Sequence, residues 1–85
     1  ESEYIDAARE RLIFLRNLIA SSELDGAEYY MKRGAYLAAV NRANYVLKNI
    51  PNSTERERAL RILKEAYKQL GYDEYAKKIS SFEAN

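Results

Sequence analysis

The stretch EYYMKRGAYLAAV, residues 28–40, sets two adjacent tyrosines, two basic residues and a glycine inside a pattern that otherwise reads as helix. Gly34 suits the end of a helix, because glycine enters the left-handed backbone region without a Cβ penalty. Lys32 and Arg33 suit the negative end of the helix dipole just before it. Beyond the glycine, Tyr36, Ala39, Val40, Ala43, Val46 and Leu47 recur at helical spacing, which predicts a second helix over residues 36–49 that Pro51 stops.

Upstream, Ile5, Ala8, Leu12, Leu15 and Ile19 are spaced by three and four, and Phe14 and Leu18 widen the stripe. This predicts a long first helix over residues 3–33, buried on more than one side as an element between layers would be. A break at residues 21–26 is the alternative. Ser22-Glu23-Leu24-Asp25 resembles an N-cap sequence, and Gly26 costs about 1 kcal/mol relative to alanine in a helix interior. Downstream, Thr54-Glu55-Arg56-Glu57 matches a capping box, in which Thr54 accepts from an early amide and Glu57 reaches back. A third helix follows, with Leu60, Leu63, Ala66, Tyr67 and Leu70 inward and Glu57, Arg61 and Glu65 on the wet side, until Gly71 ends it. Asp73 is the expected N-cap of a short last helix that carries Tyr75, Ala76, Ile79 and Phe82.

The two halves repeat. Tyr30, Gly34 and Ala39 recur as Tyr67, Gly71 and Ala76, each displaced by 37 residues. A tetratricopeptide unit is a helix, a turn and a helix, with a bulky residue near the end of helix A, a turn glycine, a small residue in helix B and a closing proline. Tyr30, Gly34, Tyr36, Ala39 and Pro51 fill those places. The expected fold is therefore all-α: a tetratricopeptide-repeat solenoid fragment of antiparallel helix hairpins, with residues 1–85 a single unit. Residues 1–53 would hold the long helix and helix B of one repeat, and residues 54–85 the last repeat. A plain helical hairpin bundle is the simpler rival.

Composition narrows the chemistry. The chain has 85 residues, enough for one small domain or part of a larger one, which buries only about 60 to 65% of its unfolded surface. Fourteen basic against 13 acidic residues leave a net charge of +1, and the interspersed acids deny the basic stripe that a nucleic-acid partner needs. Without cysteine or histidine there is no thiol nucleophile, imidazole base or ordinary zinc site. No base–nucleophile pair or phosphate loop can be assembled, so neither catalysis nor a cofactor is expected. Asp6, Glu10, Glu55, Glu57 and Glu65 read as solvated or weakly paired carboxylates. No apolar run approaches the roughly 20 residues needed to span a bilayer. The Glu1-Ser2-Glu3 start, lacking an initiator methionine and a signal peptide, reads as that of a mature product or an excised fragment. Tyrosine is abundant, with eight residues against two phenylalanines. Tyr30, Tyr36 and Tyr67 are expected to fill inter-helix space. Tyr45 instead falls opposite the buried stripe of its helix, in line with Ala38, Arg42 and Asn49. Arginine and tyrosine are enriched among interface anchors, so this exposed face is the candidate docking patch.

AARERLIFLRNLIASSELDGAEYYMKRGAYLAAVNRANYVLKNIPNS together with ALRILKEAYKQLGYDEYAKKI resembles the C-terminal repeats of the BamD family of outer-membrane assembly lipoproteins, also called YfiO or ComL. The most specific piece is AEYYMKRGAYLAAVNR, residues 27–42, which joins Glu28-Tyr29-Tyr30, Lys32-Arg33 and Asn41-Arg42. The usual mid-helix-B aromatic is absent, with Ala43 and Ser80 in its place, and the family's lipidated cysteine and earlier repeats are not present in the chain. The resemblance implies a non-catalytic scaffold of the β-barrel assembly machinery on the periplasmic face of the outer membrane, which it would touch only through a lipid anchor absent from this chain. It implies binding to the POTRA region of BamA and to companion lipoproteins, with Asn41 and Arg42 in the family's Asn-Arg motif. The competing expectation is a generic tetratricopeptide adaptor that holds a peptide in its concave groove.

Overall fold

The computed structural model describes residues 2–84, and these form four helices and no strand. Helix α1 (Ser2–Lys32) runs unbroken through Gly26, followed by α2 (Tyr36–Asn49), α3 (Arg56–Leu70) and α4 (Asp73–Ala84). Each helix packs against the next, and α3 also touches α1. The chain is therefore a stack of antiparallel hairpins in which sequence neighbours are spatial neighbours.

Both tight turns use the same device. Gly34 has φ 77° and Gly71 has φ 83°. At the first, the Gly34 amide donates to the Met31 carbonyl at 3.1 Å and the Ala35 amide to the Tyr30 carbonyl at 2.9 Å. At the second, the Gly71 amide donates to Lys68 at 3.1 Å and the Tyr72 amide to Tyr67 at 2.8 Å. These are paired Schellman closures, so the 37-residue recurrence of tyrosine and glycine is a recurrence of backbone hydrogen bonds. The small residues that follow, Ala39 and Ala76, are both buried.

The core is built of narrow side chains where helices cross: Ala20, Leu24 and Ala27 from α1, Ala39, Val40, Ala43 and Val46 from α2, and Ala59, Leu60, Ile62, Leu63 and Ala66 from α3, with Ile79 from α4. Tyr30, Tyr36 and Tyr67 are half-buried and pack against its edge. Alanine at six of these positions lets the helices approach closely, which is how a thin unit reaches native packing density.

Three local expectations need correction. The first half of α1 is not an inner layer: Ile5, Leu12, Leu15 and Ile19 are 45–51% exposed and Phe14 is 64% exposed. The reason is length. At about 1.5 Å per residue α1 extends about 46 Å, whereas α2 extends about 21 Å and can cover only the C-terminal half of α1. The capping box is not made. Glu55 takes the cap position of α3 with no side-chain cap bond. Ser53 instead accepts from the Glu55 amide at 3.2 Å, while the Thr54 amide donates to Asn17 Oδ1 at 3.1 Å and so ties the connection to α1. Asp73 is the first residue inside α4, a place where its charge still favours the helix N-terminus, because the Ala76 amide bonds the Tyr72 carbonyl.

Candidate docking face on the second helix

Ala38, Arg42, Tyr45 and Asn49 are spaced by four, three and four, which places them on one line along α2, with Asn41 beside it. Tyr45 is 47% exposed and Asn41 and Asn49 are exposed, whereas Ala38 and Arg42 are half-buried. Asn49 Nδ2 donates to the Tyr45 carbonyl at 3.0 Å, one turn back along the same line. The end of this line opens into a groove of about 360 Å³ lined by Ile13, Arg16 and Asn17 of α1 and by Asn49, Ile50 and Pro51.

Arg42 departs from the freely exposed residue that helical phase suggests. Its guanidinium turns back onto α1, where Nη1 pairs with Glu23 Oε2 at 3.5 Å and Cζ lies 5.4 Å from the centre of the Tyr30 ring. It lies against Gly26: a Cβ there would meet Nη1 at 2.9 Å and Cδ and Cζ at 3.4 Å. A glycine inside a helix is costly, and here it supplies the space that a long cationic side chain from the next helix occupies. Arg42 is thus at once part of the α1–α2 interface and, with its side chain 40% exposed, available to solvent.

The rest of the motif in residues 27–42 is likewise a set of contacts. Arg33 Nη1 donates to Tyr29 Oη at 3.0 Å and its Cζ lies 5.2 Å from that ring. The Tyr29 and Tyr30 rings meet edge to face at 5.7 Å. Glu28 reaches α3. There Arg58, which periodicity does not single out, gathers three carboxylates: Nη2 donates to Asp25 at 2.6 Å and to Glu28 Oε1 at 2.9 Å, Nε to Glu28 Oε2 at 3.1 Å, and Nη1 to Glu55 at 3.1 Å. The hydrogen bond from Arg58 holds the Glu28 carboxyl below its ordinary range, and the bonds to Glu28 and Asp25 hold the guanidinium more firmly protonated than usual. The available signal in the sequence was Asp25 and Glu28 three residues apart, two carboxylates sharing one helix face. Arg61, by contrast, is exposed and forms no ion pair with Glu57 or Glu65 among the described residues.

Among the described residues no cluster of His, Cys, Asp or Glu could hold a metal ion, and no helix is long and apolar enough to cross a membrane. Comparison with known proteins gives a consistent picture. Forty per cent of 75 aligned residues are identical to outer membrane protein assembly factor BamD of Neisseria meningitidis serogroup A, a match covering 88% of this chain and 28% of that protein. The factor of the same name from Vibrio cholerae is 37% identical over 70 residues, covering 82% of this chain and 29% of the relative. That of Pasteurella multocida is 32% identical over 85 residues, 99% of this chain and 33% of the relative. The chain therefore spans about a third of their length or less. The family model named YfiO, described as outer membrane lipoprotein, matches residues 1–82. With helical hairpins throughout the described residues and a family match over nearly all of its length, the chain belongs to the YfiO family of outer membrane lipoproteins.

Proposed function

We propose that this chain is a non-catalytic scaffold of the β-barrel assembly machinery, which docks the POTRA region of BamA on the outer face of α2 and works beside companion lipoproteins at the periplasmic face of the outer membrane. The family supplies the process: its members named here are outer membrane protein assembly factors. The observation that carries the proposal for this chain is the seat of Arg42. A flexible cation is held between Glu23, Gly26 and Tyr30 while its side chain stays 40% exposed, one turn from the exposed ring of Tyr45. Holding the side chain beforehand lowers the entropy lost on binding, and an arginine beside a tyrosine is the usual composition of an interface anchor. Ala38 and Asn41 leave the neighbourhood flat, and Asn49 extends it to the groove beside α1.

Because Arg42 also joins α1 to α2, Tyr45 gives the cleaner test. Calorimetric titration of the chain with a BamA POTRA fragment should show Tyr45→Ala weakening binding by about tenfold or more, the effect of losing an interface anchor. Arg61→Glu, on the exposed face of α3, should change it by less than about twofold. Equal effects of the two substitutions would place the interface elsewhere.

A further inference from the structure

The groove between α1 and the end of α2 is shaped by the loop beside it. The Ile50 amide donates to the Val46 carbonyl at 2.8 Å and the Ser53 amide to the Ile50 carbonyl at 3.2 Å. Ser53 is buried, and Asn17 Oδ1 takes the Thr54 amide across from α1 at 3.1 Å. The walls are thus in place before anything enters, so little order has to be imposed on binding. At about 360 Å³ the groove has the size of a small ligand site. Ile13, Ile50 and Pro51 give it apolar surface, and Arg16 is the one ionisable side chain of its lining. Arg16 is exposed and forms no ion pair among the described residues. The lining also carries carboxamide atoms that the fold leaves over. Asn17 commits its oxygen to Thr54 and Asn49 its nitrogen to the Tyr45 carbonyl, so the first keeps N–H donors and the second an oxygen acceptor, while Asn52 offers both. None of these remaining atoms has a protein partner among the described residues.

We infer that the groove binds an extended peptide segment of a partner protein, with an aspartate or glutamate side chain on Arg16 and a branched apolar side chain beside it on Ile13, Ile50 and Pro51. The free atoms select this ligand. A peptide unit brings an N–H for Asn49 and a C=O for Asn17, whereas phosphate and other small anions bring acceptors only and leave the Asn49 oxygen unmet. A metal ion or a basic peptide finds no carboxylate in the lining. Nucleic acid needs a run of cations, and the groove has one. A free chain end is the other source of a carboxylate, but such ends are captured in nests of backbone amides. Here the Ile50, Ser53 and Thr54 amides are already bonded, and Pro51 has none. The residues that read the acidic group, Arg16 and Asn17, belong to α1, so the inference is independent of where BamA docks.

The probes are two capped tripeptides, acetyl-Val-Glu-Val-amide and acetyl-Val-Gln-Val-amide, each titrated into the isotope-labelled chain and followed by amide chemical shifts. Both should move the amides of Arg16, Asn17, Asn49 and Asn52, and the glutamate peptide should bind about fivefold tighter or better. Arg16→Gln should abolish that preference, whereas Arg11→Gln, at an exposed arginine outside the groove, should keep it. Asn17→Asp retains an oxygen for the Thr54 amide but replaces the free donors with a negative charge, so it should weaken the glutamate peptide by about tenfold while the melting midpoint stays unchanged. No shifts with either peptide at about 10 mM, equal binding of the two, or a preference that survives Arg16→Gln would overturn the inference. So would inorganic phosphate moving the same amides at the same concentration as the glutamate peptide, which would make the groove a general anion site. Tighter binding of acetyl-Val-Val with a free terminal carboxylate would overturn it as well, by making the groove a chain-end site.

Discussion

Gly34 and Gly26 show two unrelated uses of the missing side chain. Gly34 needs its φ of 77°, and no atom lies within 4 Å of the place a Cβ would take, so the constraint is conformational and involves no clash. Gly34→Val should therefore destabilise the fold by about 1 to 3 kcal/mol, measured by thermal melting, although the side chain would point into open space. Gly26 sits in ordinary helical geometry and is constrained by what lies above it. Alanine there adds up to about 1 kcal/mol of helix propensity, yet displaces Arg42 from Glu23 and Tyr30. Gly26→Ala should gain less than that amount in the native chain and nearly all of it in an Arg42→Ala background, and chemical denaturation of the four variants measures the difference. Equal gains in both backgrounds would mean that Arg42 does not use the space. The turn was legible in the sequence because a left-handed residue at a helix end is a local requirement that glycine meets. The seat of Arg42 was not, since periodicity fixes where a Cα lies on the helix and says nothing of how far a long side chain reaches across to a gap in its neighbour.

At the scale of elements, apolar spacing identified all four helices, through inward faces in α2, α3 and α4 and through a largely uncovered stripe in α1. Their caps were less legible. Thr54 and Glu57 had the right types three apart, but the loop from Ile50 to Glu55 is held by Ser53 and by Asn17 of α1, and that long-range contact settles where α3 begins. Arg58 plays the same part between α1 and α3. Its side chain is 19% exposed and serves three carboxylates of differing exposure, so Arg58→Ala should cost about 1 to 2 kcal/mol by urea denaturation, discounted for solvent around Asp25 and Glu28. The pH dependence has a definite sign. Glu28 has a lowered carboxyl pKa in the folded state, so its contribution is present above the ordinary carboxylate range and is lost as pH falls through the lower folded value. Acid unfolding followed by circular dichroism should accordingly show a smaller loss of stability between neutral and acidic pH in Glu28→Gln than in the native chain; an identical loss would remove Glu28 from the account.

Across the whole molecule, dimensions of 53 × 28 × 14 Å describe a slab with a helix projecting from it, and stability should be distributed accordingly. Amides in residues 5–16, on a half-helix without tertiary cover, should exchange with solvent far sooner than those in residues 20–31, which share the core; uniform protection along α1 would contradict that division. The fold class was legible because repeated hairpins leave a repeated pattern of tyrosine, glycine and alanine. The exposure of the first stripe was not, because an apolar face demands a partner without saying whether this stretch of chain contains it. The docking face lies between these cases: a line of residues on α2 could be read from spacing, whereas its attachment to α1 through Arg42 could not. Its use is tested most directly by placing a photo-crosslinking p-benzoylphenylalanine at position 45 or at position 75, a similarly exposed tyrosine on α4, in a protein assembled with BamA. Crosslinking to the POTRA region from position 45 and not from position 75 is the expected result, and crosslinking from position 75 with none from position 45 would contradict the assignment of the α2 face as the docking surface.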